Sequence, residues 1–153
     1  MTSTTEPRIR GERVLARRAL QIGLALGVIA AAAPVFDLFV TASIESHVRS
    51  AYEGWSAGTV AMDRNAITGY LVVIGILGIV GWVGALWALR TRIAFPVSVT
   101  LFVVGTVLAL VTASSSGGAY DTIVPVQFGT LALLPSVPGL AAVVVLWRAR
   151  KFR

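Results

Sequence analysis

The side chain with the clearest potential for chemistry is Asp37, the only charged residue between Ala19 and Ser43. An α-helix over those 25 residues covers about 37 Å, enough to cross a hydrocarbon core of about 30 Å with some tilt. A charge within a membrane-spanning helix is costly, so it usually faces protein or water rather than lipid. Asp37 is therefore the first candidate for a functional residue.

Polar side chains at a comparable depth in the other apolar runs could meet Asp37. Thr41 follows it by four residues and so lies on the same helical face. We expect a polar or ligand-binding cluster made of Asp37, Thr41, Thr68, Tyr70, Gln127 and Thr130. Two interpretations stay open. The preferred one is a buried, hydrogen-bonded carboxyl that holds the helices together, and the other is a proton- or cation-coupled binding site.

The residue inventory argues against most catalytic chemistry. The chain has no cysteine and a single histidine, His47, so thiol catalysis, cysteine-ligated metals and two-histidine haem ligation are excluded. The sequence contains no glycine-rich phosphate loop, nucleophile elbow or zinc-protease motif. We therefore expect no metal site and no cofactor, and we rank an enzyme below the non-enzymatic alternatives.

The composition is that of a membrane protein. Of the 153 residues, 56% are hydrophobic and 13% are charged, whereas soluble domains carry about 25% charged residues. The net charge of +6 would suit nucleic acid, but the basic residues stand at the ends of apolar runs, where they set membrane orientation. We expect the lipid bilayer as the surroundings and no nucleic acid as a partner.

Four apolar runs are long enough to span a membrane, which predicts an all-α, integral membrane four-helix bundle. The spans cover about residues 19–43, 66–89, 93–113 and 123–147. Residues 1–18 form a basic tail before the first span, and residues 148–153 form a second basic tail after the last. Pro135 and Pro138 predict a kink or a break within the fourth span.

The distribution of basic residues predicts the orientation of the bundle. The N-terminal tail carries five, the turn at Arg90–Arg92 two and the C-terminal tail four, whereas the opposite side has only Arg49 and Arg64. Short cytoplasmic segments of membrane proteins are enriched in Arg and Lys. Both termini and the Arg90–Arg92 turn are therefore predicted to be cytoplasmic, in a multi-pass protein of the cell membrane.

Glycines recur along the first two spans. Small residues let helix backbones approach closely within a membrane, where the hydrophobic effect no longer drives helices together. We predict helix packing through Gly23, Gly27, Gly75, Gly78, Gly81 and Gly84. A ligand channel lined by the glycines of the second span is the alternative.

The outer loop, residues 44–65, supports two interpretations. Val48, Tyr52 and Trp55 recur at helical spacing and would form the apolar face of a short helix at the membrane surface. The loop could equally be irregular, with its aromatic side chains touching the lipid headgroups. Ser56 is a candidate N-cap for a helix that continues into the second span.

These patterns lead to two hypotheses about function. The leading one is a small, non-enzymatic integral membrane protein, an accessory or assembly factor that packs through its glycine-rich faces against a second copy or another membrane protein. The alternative is a small proton- or cation-coupled transporter that uses Asp37. An enzyme comes third, because the sequence offers no catalytic constellation.

Overall fold

The computed structural model describes the backbone of residues 5–151 and the side chains of residues 11–150. These residues contain six α-helices and no β-strand, which confirms the all-α prediction. In chain order the helices are α1 (Thr5–Phe39), α2 (Ser43–Ala51), α3 (Ala57–Ala88), α4 (Ala94–Ser114), α5 (Val126–Leu133) and α6 (Ser136–Lys151).

Four helical segments are long and apolar enough to cross a membrane, as predicted. They are Gly11–Phe39, Ala57–Ala88, Ala94–Ser114 and Val126–Arg150, the last of which is formed by α5 and α6 together. The ends differ from the predicted ones, because α1 stops before Ser43 and α3 starts well before Ala66. The first four residues of the predicted N-terminal tail and the last two of the C-terminal tail lie outside the described residues.

The four spans form a ring in which each packs on two neighbours. α1 packs on α3 and α6, and α4 completes the ring by packing on α3, α5 and α6. Because the spans alternate in direction, the start of α1, the turn between α3 and α4 and the end of α6 share one end of the bundle. We call this the basic end. The opposite, loop end carries α2 and residues 115–125.

The sequence explains where two of the helices begin and end. Ser56 caps α3, since its hydroxyl accepts a hydrogen bond from the Thr59 N–H at 3.2 Å, and the predicted N-cap is confirmed. Residues 57–65 therefore form the first turns of α3 rather than a loop. Pro135 separates α5 from α6, which confirms the predicted break in the fourth span.

Buried apolar side chains form two clusters along the bundle. The loop-end cluster contains Ile44, Val48, Val60, Ile67, Leu71, Val124 and Phe128. The second cluster is built on Leu20, Ala85 and Ala142 and includes the partly buried Trp82. Ile44 and Val48 belong to α2, so the apolar face of this short helix packs on the bundle instead of facing the membrane surface.

Candidate functional site

Asp37 lies in the last turn of α1 and is only 2% exposed. Its carboxylate accepts four hydrogen bonds from the residues that follow it. Thr41 Oγ1 and Ser43 Oγ donate to Oδ1. The Ser43 backbone N–H donates to the same oxygen at 2.9 Å, and the Ile44 N–H donates to Oδ2 at 3.0 Å. Both carboxylate oxygens are therefore engaged within the chain.

The turn after α1 creates this arrangement. Ala42 adopts a left-handed backbone conformation with φ 51°, and its N–H donates to the Asp37 carbonyl at 2.8 Å, which ends α1. α2 starts at the next residue, and the alanine side chain cannot cap it. The N–H groups of a first helical turn have no partner within their own helix, so Asp37 supplies the acceptor from the preceding helix. Its charge also suits the positive end of the helix dipole.

The cap extends to the fourth span through Ser43. Gln127 Nε2 donates to the Ser43 hydroxyl at 3.0 Å, while this hydroxyl donates to Asp37. The structure thus brings together three members of the predicted cluster, Asp37, Thr41 and Gln127. Ser43 links them, and the sequence analysis did not single it out. An ionised carboxylate only accepts hydrogen bonds, which suits the four donors around Asp37.

The other members of the predicted cluster make no hydrogen bond with Asp37. The Tyr70 hydroxyl shares a 2.9 Å hydrogen bond with Thr112 Oγ1, which joins α3 to α4. Thr130 donates to the Val126 carbonyl one turn earlier in its own helix. Thr68 is 7% exposed, and its hydroxyl has no hydrogen-bond partner among the described residues.

A second polar network at the loop end was not anticipated from the sequence. Arg49 and Arg64 donate to the two carboxylate oxygens of Glu45 at 2.8 and 2.9 Å. The hydrogen bond from Arg49, followed by that from Arg64, holds the pKa of Glu45 below its usual value. The spacing of Glu45 and Arg49, four residues apart, is a signal that could have predicted the first pair.

Tyr120 ties the segment before α5 to this end of the bundle. Its hydroxyl donates to Asp63 in α3. Burial, and then this hydrogen bond, raise the pKa of the Tyr120 hydroxyl. His47 in α2 stacks on the Tyr120 ring, with centroids 5.2 Å apart, and donates from Nε2 to the Thr122 carbonyl at 2.8 Å. The loop end is thus held by contacts among α2, α3 and residues 115–125.

Some of the predicted packing glycines lie where α1 and α3 approach closely. A Cβ placed on Gly75 would lie 2.5 Å from the Ala31 Cβ, and one on Gly23 would overlap the Trp82 ring. At Gly27 the added Cβ would lie 3.3 Å from the same indole. Hydrogen in place of a side chain allows these two helices to pack at this distance.

The other predicted glycines of α3, Gly78, Gly81 and Gly84, face α4 across a wider gap. A Cβ on Gly81 or Gly84 would make an ordinary contact with Leu101 at 3.8 Å. Gly78 is exposed and has no atom within 4 Å of the place its Cβ would occupy. The same is true of Gly105 in α4. The glycines predicted as one packing ladder therefore lie in two different surroundings.

The gap between α3 and α4 opens into an apolar cavity of about 380 Å³ whose walls come from all four spans. Gly78 and Gly105 belong to its lining, which contains no charged residue. Thr106 donates to the Ser136 hydroxyl at 3.2 Å beside the break between α5 and α6. Ser98 is 4% exposed, and its hydroxyl has no hydrogen-bond partner among the described residues. The volume and lining suit an uncharged, largely apolar group.

Among the described side chains, no group of three His, Asp or Glu residues lies close enough to hold a metal ion. Comparisons of the chain with protein-family models, with curated proteins and with solved structures found no match.

Proposed function

We propose that this chain is a non-enzymatic accessory protein of the cell membrane that binds a transmembrane helix of a partner along α3 and α4. The observation that carries the proposal is the open space at Gly78 and Gly105, which border the cavity between α3 and α4, whereas the equally open Gly69 does not. A glycine within a helix costs about 1 kcal/mol relative to alanine. At Gly75 the close contact with Ala31 accounts for that cost, whereas Gly78 and Gly105 make no such contact within the chain. Exposed small residues are what a second helix needs for close approach in a membrane.

The fraction of each span that is buried within the chain supports the same helix-binding surface on α3 and α4. In α4 only 11% of the residues in the most apolar stretch are buried, against 28% in the fourth span. α4 is thus the least covered of the four membrane segments. The cavity behind Gly78 and Gly105 has an uncharged lining, so a large apolar side chain of a docked helix would fit it.

The contacts of Asp37 support a structural role in preference to ion coupling. A carboxylate that binds and releases a proton or a cation needs access for that ion. Asp37 is almost fully buried and already accepts four hydrogen bonds that cap α2. We therefore favour the accessory role over the transporter that Asp37 suggested from the sequence.

We also propose that the basic end faces the cytoplasm, since nearly all arginines lie there. The chain has no cysteine, so a single cysteine introduced at the exposed Ser116 would report the side of the loop end. We expect a membrane-impermeant thiol reagent to label it from outside intact cells. Labelling only after the cytoplasmic side is made accessible would contradict this orientation.

Site-specific photo-crosslinking in intact membranes tests the proposed helix-binding surface. Leu77 lines the gap between α3 and α4, and Ile29 on α1 is a matched control because both side chains are 55% exposed. We expect a photo-reactive residue at position 77 to form a discrete protein adduct, and one at position 29 to form none. The mass of the adduct shows whether the partner is a second copy or another protein. Equal crosslinking at both positions, or none at 77, would contradict the proposal.

A further inference from the structure

Three arginines from separate parts of the chain border one pocket at the basic end, which we call the basic pocket. Arg13 comes from α1, Arg92 from the turn between α3 and α4, and Arg150 from the end of α6. The pocket has a volume of about 540 Å³, and no acidic residue belongs to its lining. The lining thus brings three positive charges together without a carboxylate among them.

The rest of the pocket is mostly apolar. Its lining is completed by Leu89, Thr91, Ala94, Phe95, Pro96, Leu146 and Ala149. The Arg150 guanidinium lies 5.5 Å from the centroid of the Phe95 ring, a cation–π contact that holds this arginine at the pocket wall. The pocket therefore combines strong anion-binding groups with a surface that would accept hydrocarbon.

Guanidinium groups recognise phosphate well, because their N–H donors match its oxygens in pairs. Grouping three of them without an acid is unfavourable unless an anion joins them. All three arginines lie at the basic end, next to the ends of membrane-crossing helices, where clustered basic residues attract anionic lipid headgroups. We propose that Arg13, Arg92 and Arg150 bind the phosphate group of an anionic phospholipid, whose first chain carbons contact the apolar lining.

The full-length chain in a neutral maltoside detergent allows a direct test. Its thermal unfolding midpoint is measured while phosphatidylglycerol, phosphatidylcholine with the same acyl chains, or inorganic phosphate is added. The pocket variants are Arg92→Gln, Arg150→Gln and Arg13→Gln. Arg148→Gln is the control, since it removes the same charge from the same end of α6 but lies outside the pocket lining.

We expect phosphatidylglycerol to raise the midpoint and phosphatidylcholine to leave it nearly unchanged. Each pocket variant that folds should raise the lipid concentration for half the effect by about five-fold, whereas Arg148→Gln should change it by less than about two-fold. An equal loss of lipid affinity in Arg148→Gln and in the pocket variants would show that only the net charge of this end matters, and it would overturn the proposal. Full stabilisation by inorganic phosphate alone would show that the pocket binds free phosphate rather than a lipid. If neither phosphatidylglycerol nor phosphate stabilised the protein, the proposed anion site would be wrong.

Discussion

The loop end and the basic end of the bundle use their charged side chains in opposite ways. At the loop end Asp37 accepts four hydrogen bonds, and Glu45 pairs with two arginines. At the basic end, three arginines border a pocket whose lining has no acid. Asp37 and Glu45 are thus paired within the chain, whereas the arginines of the basic pocket are the groups that we propose to bind an external anion. In this proposal, charged residues stabilise the structure at one end and bind a ligand at the other.

The same contrast occurs within α3 between Gly75 and Gly78, three residues apart. A Cβ on Gly75 would collide with Ala31 of α1, whereas one on Gly78 would meet no atom within 4 Å. One glycine is explained by packing inside the chain and the other is not. Substitutions at the two kinds of position distinguish contacts within the chain from contacts with a partner.

The largest effect is expected from Asp37→Ala. The N–H groups of Ser43 and Ile44 lose their acceptor at the start of α2, which should lower the free energy of unfolding in detergent by about 3 kcal/mol. Asp37→Asn keeps one acceptor oxygen and should lose about 1 kcal/mol. Asp121→Ala removes an exposed acid of the same end and serves as the control. Equal stability of Asp37→Ala and Asp121→Ala would show that the hydrogen bonds of Asp37 do not stabilise the fold.

Gly75→Ala should have the next largest effect. The added methyl would lie 2.7 Å from the Ala31 Cα, so the backbones of α1 and α3 must move apart, at a cost of about 1–3 kcal/mol. Gly69→Ala is the control in the same helix, because its Cβ meets no atom within 4 Å. Denaturation of both variants in mixed detergent checks this. A stable Gly75→Ala variant would mean that α1 and α3 do not pack at this point.

A smaller, stabilising change is expected from Ala42→Gly. Glycine adopts the left-handed conformation of residue 42 without the strain that alanine carries, and the gain should be about 0.5–1 kcal/mol after its greater freedom in the unfolded chain is considered. Ala61→Gly, inside α3, should instead lose about 1 kcal/mol. The thermal unfolding midpoints of the two variants, compared with that of the unchanged chain, test this prediction. Destabilisation by both would show that the turn after α1 does not need a left-handed residue.

The smallest effect concerns Glu45. Its pKa is lowered by Arg49 and Arg64, so its stabilising contribution is present above its usual pKa of 4.5 and is lost as the pH falls through the lower, folded value. We expect Glu45→Gln to lower the thermal midpoint slightly at pH 7, and this difference from the unchanged chain should shrink as the pH is lowered below 4.5. A difference that stays constant across this range would show that the ion pairs contribute nothing.

The sequence predicted the helices better than it predicted which side chains meet. Long apolar runs, the cap at Ser56 and the break at Pro135 each depend on a local signal, and the structure bears out all three. The C-terminal end of α1 was harder to predict from the sequence, because it depends on a left-handed alanine that carries no strong sequence signal. That turn places Asp37 beside the start of α2. The spacing of the apolar residues in the outer loop does not predict this contact.

The candidate cluster was chosen by depth in the membrane, and depth is only half of what decides a contact. The rotation of each helix about its axis decides which neighbour a side chain faces. Gln127 reaches the cap through Ser43, whereas Tyr70 faces Thr112 in α4. The basic pocket could not be predicted from the sequence for a related reason. Its arginines come from three elements whose convergence depends on how the spans are arranged in the ring.

We propose that a partner helix binds where open glycines border the cavity between α3 and α4. Gly78→Leu tests it when combined with the photo-reactive residue at position 77, and Gly69→Leu is the control on the opposite face of α3, nine residues away. We predict that neither variant unfolds at a lower temperature than the parent, and that only Gly78→Leu abolishes the crosslinked adduct. An adduct that survives in Gly78→Leu, or a loss of stability that accompanies its disappearance, would contradict the proposed helix-binding surface.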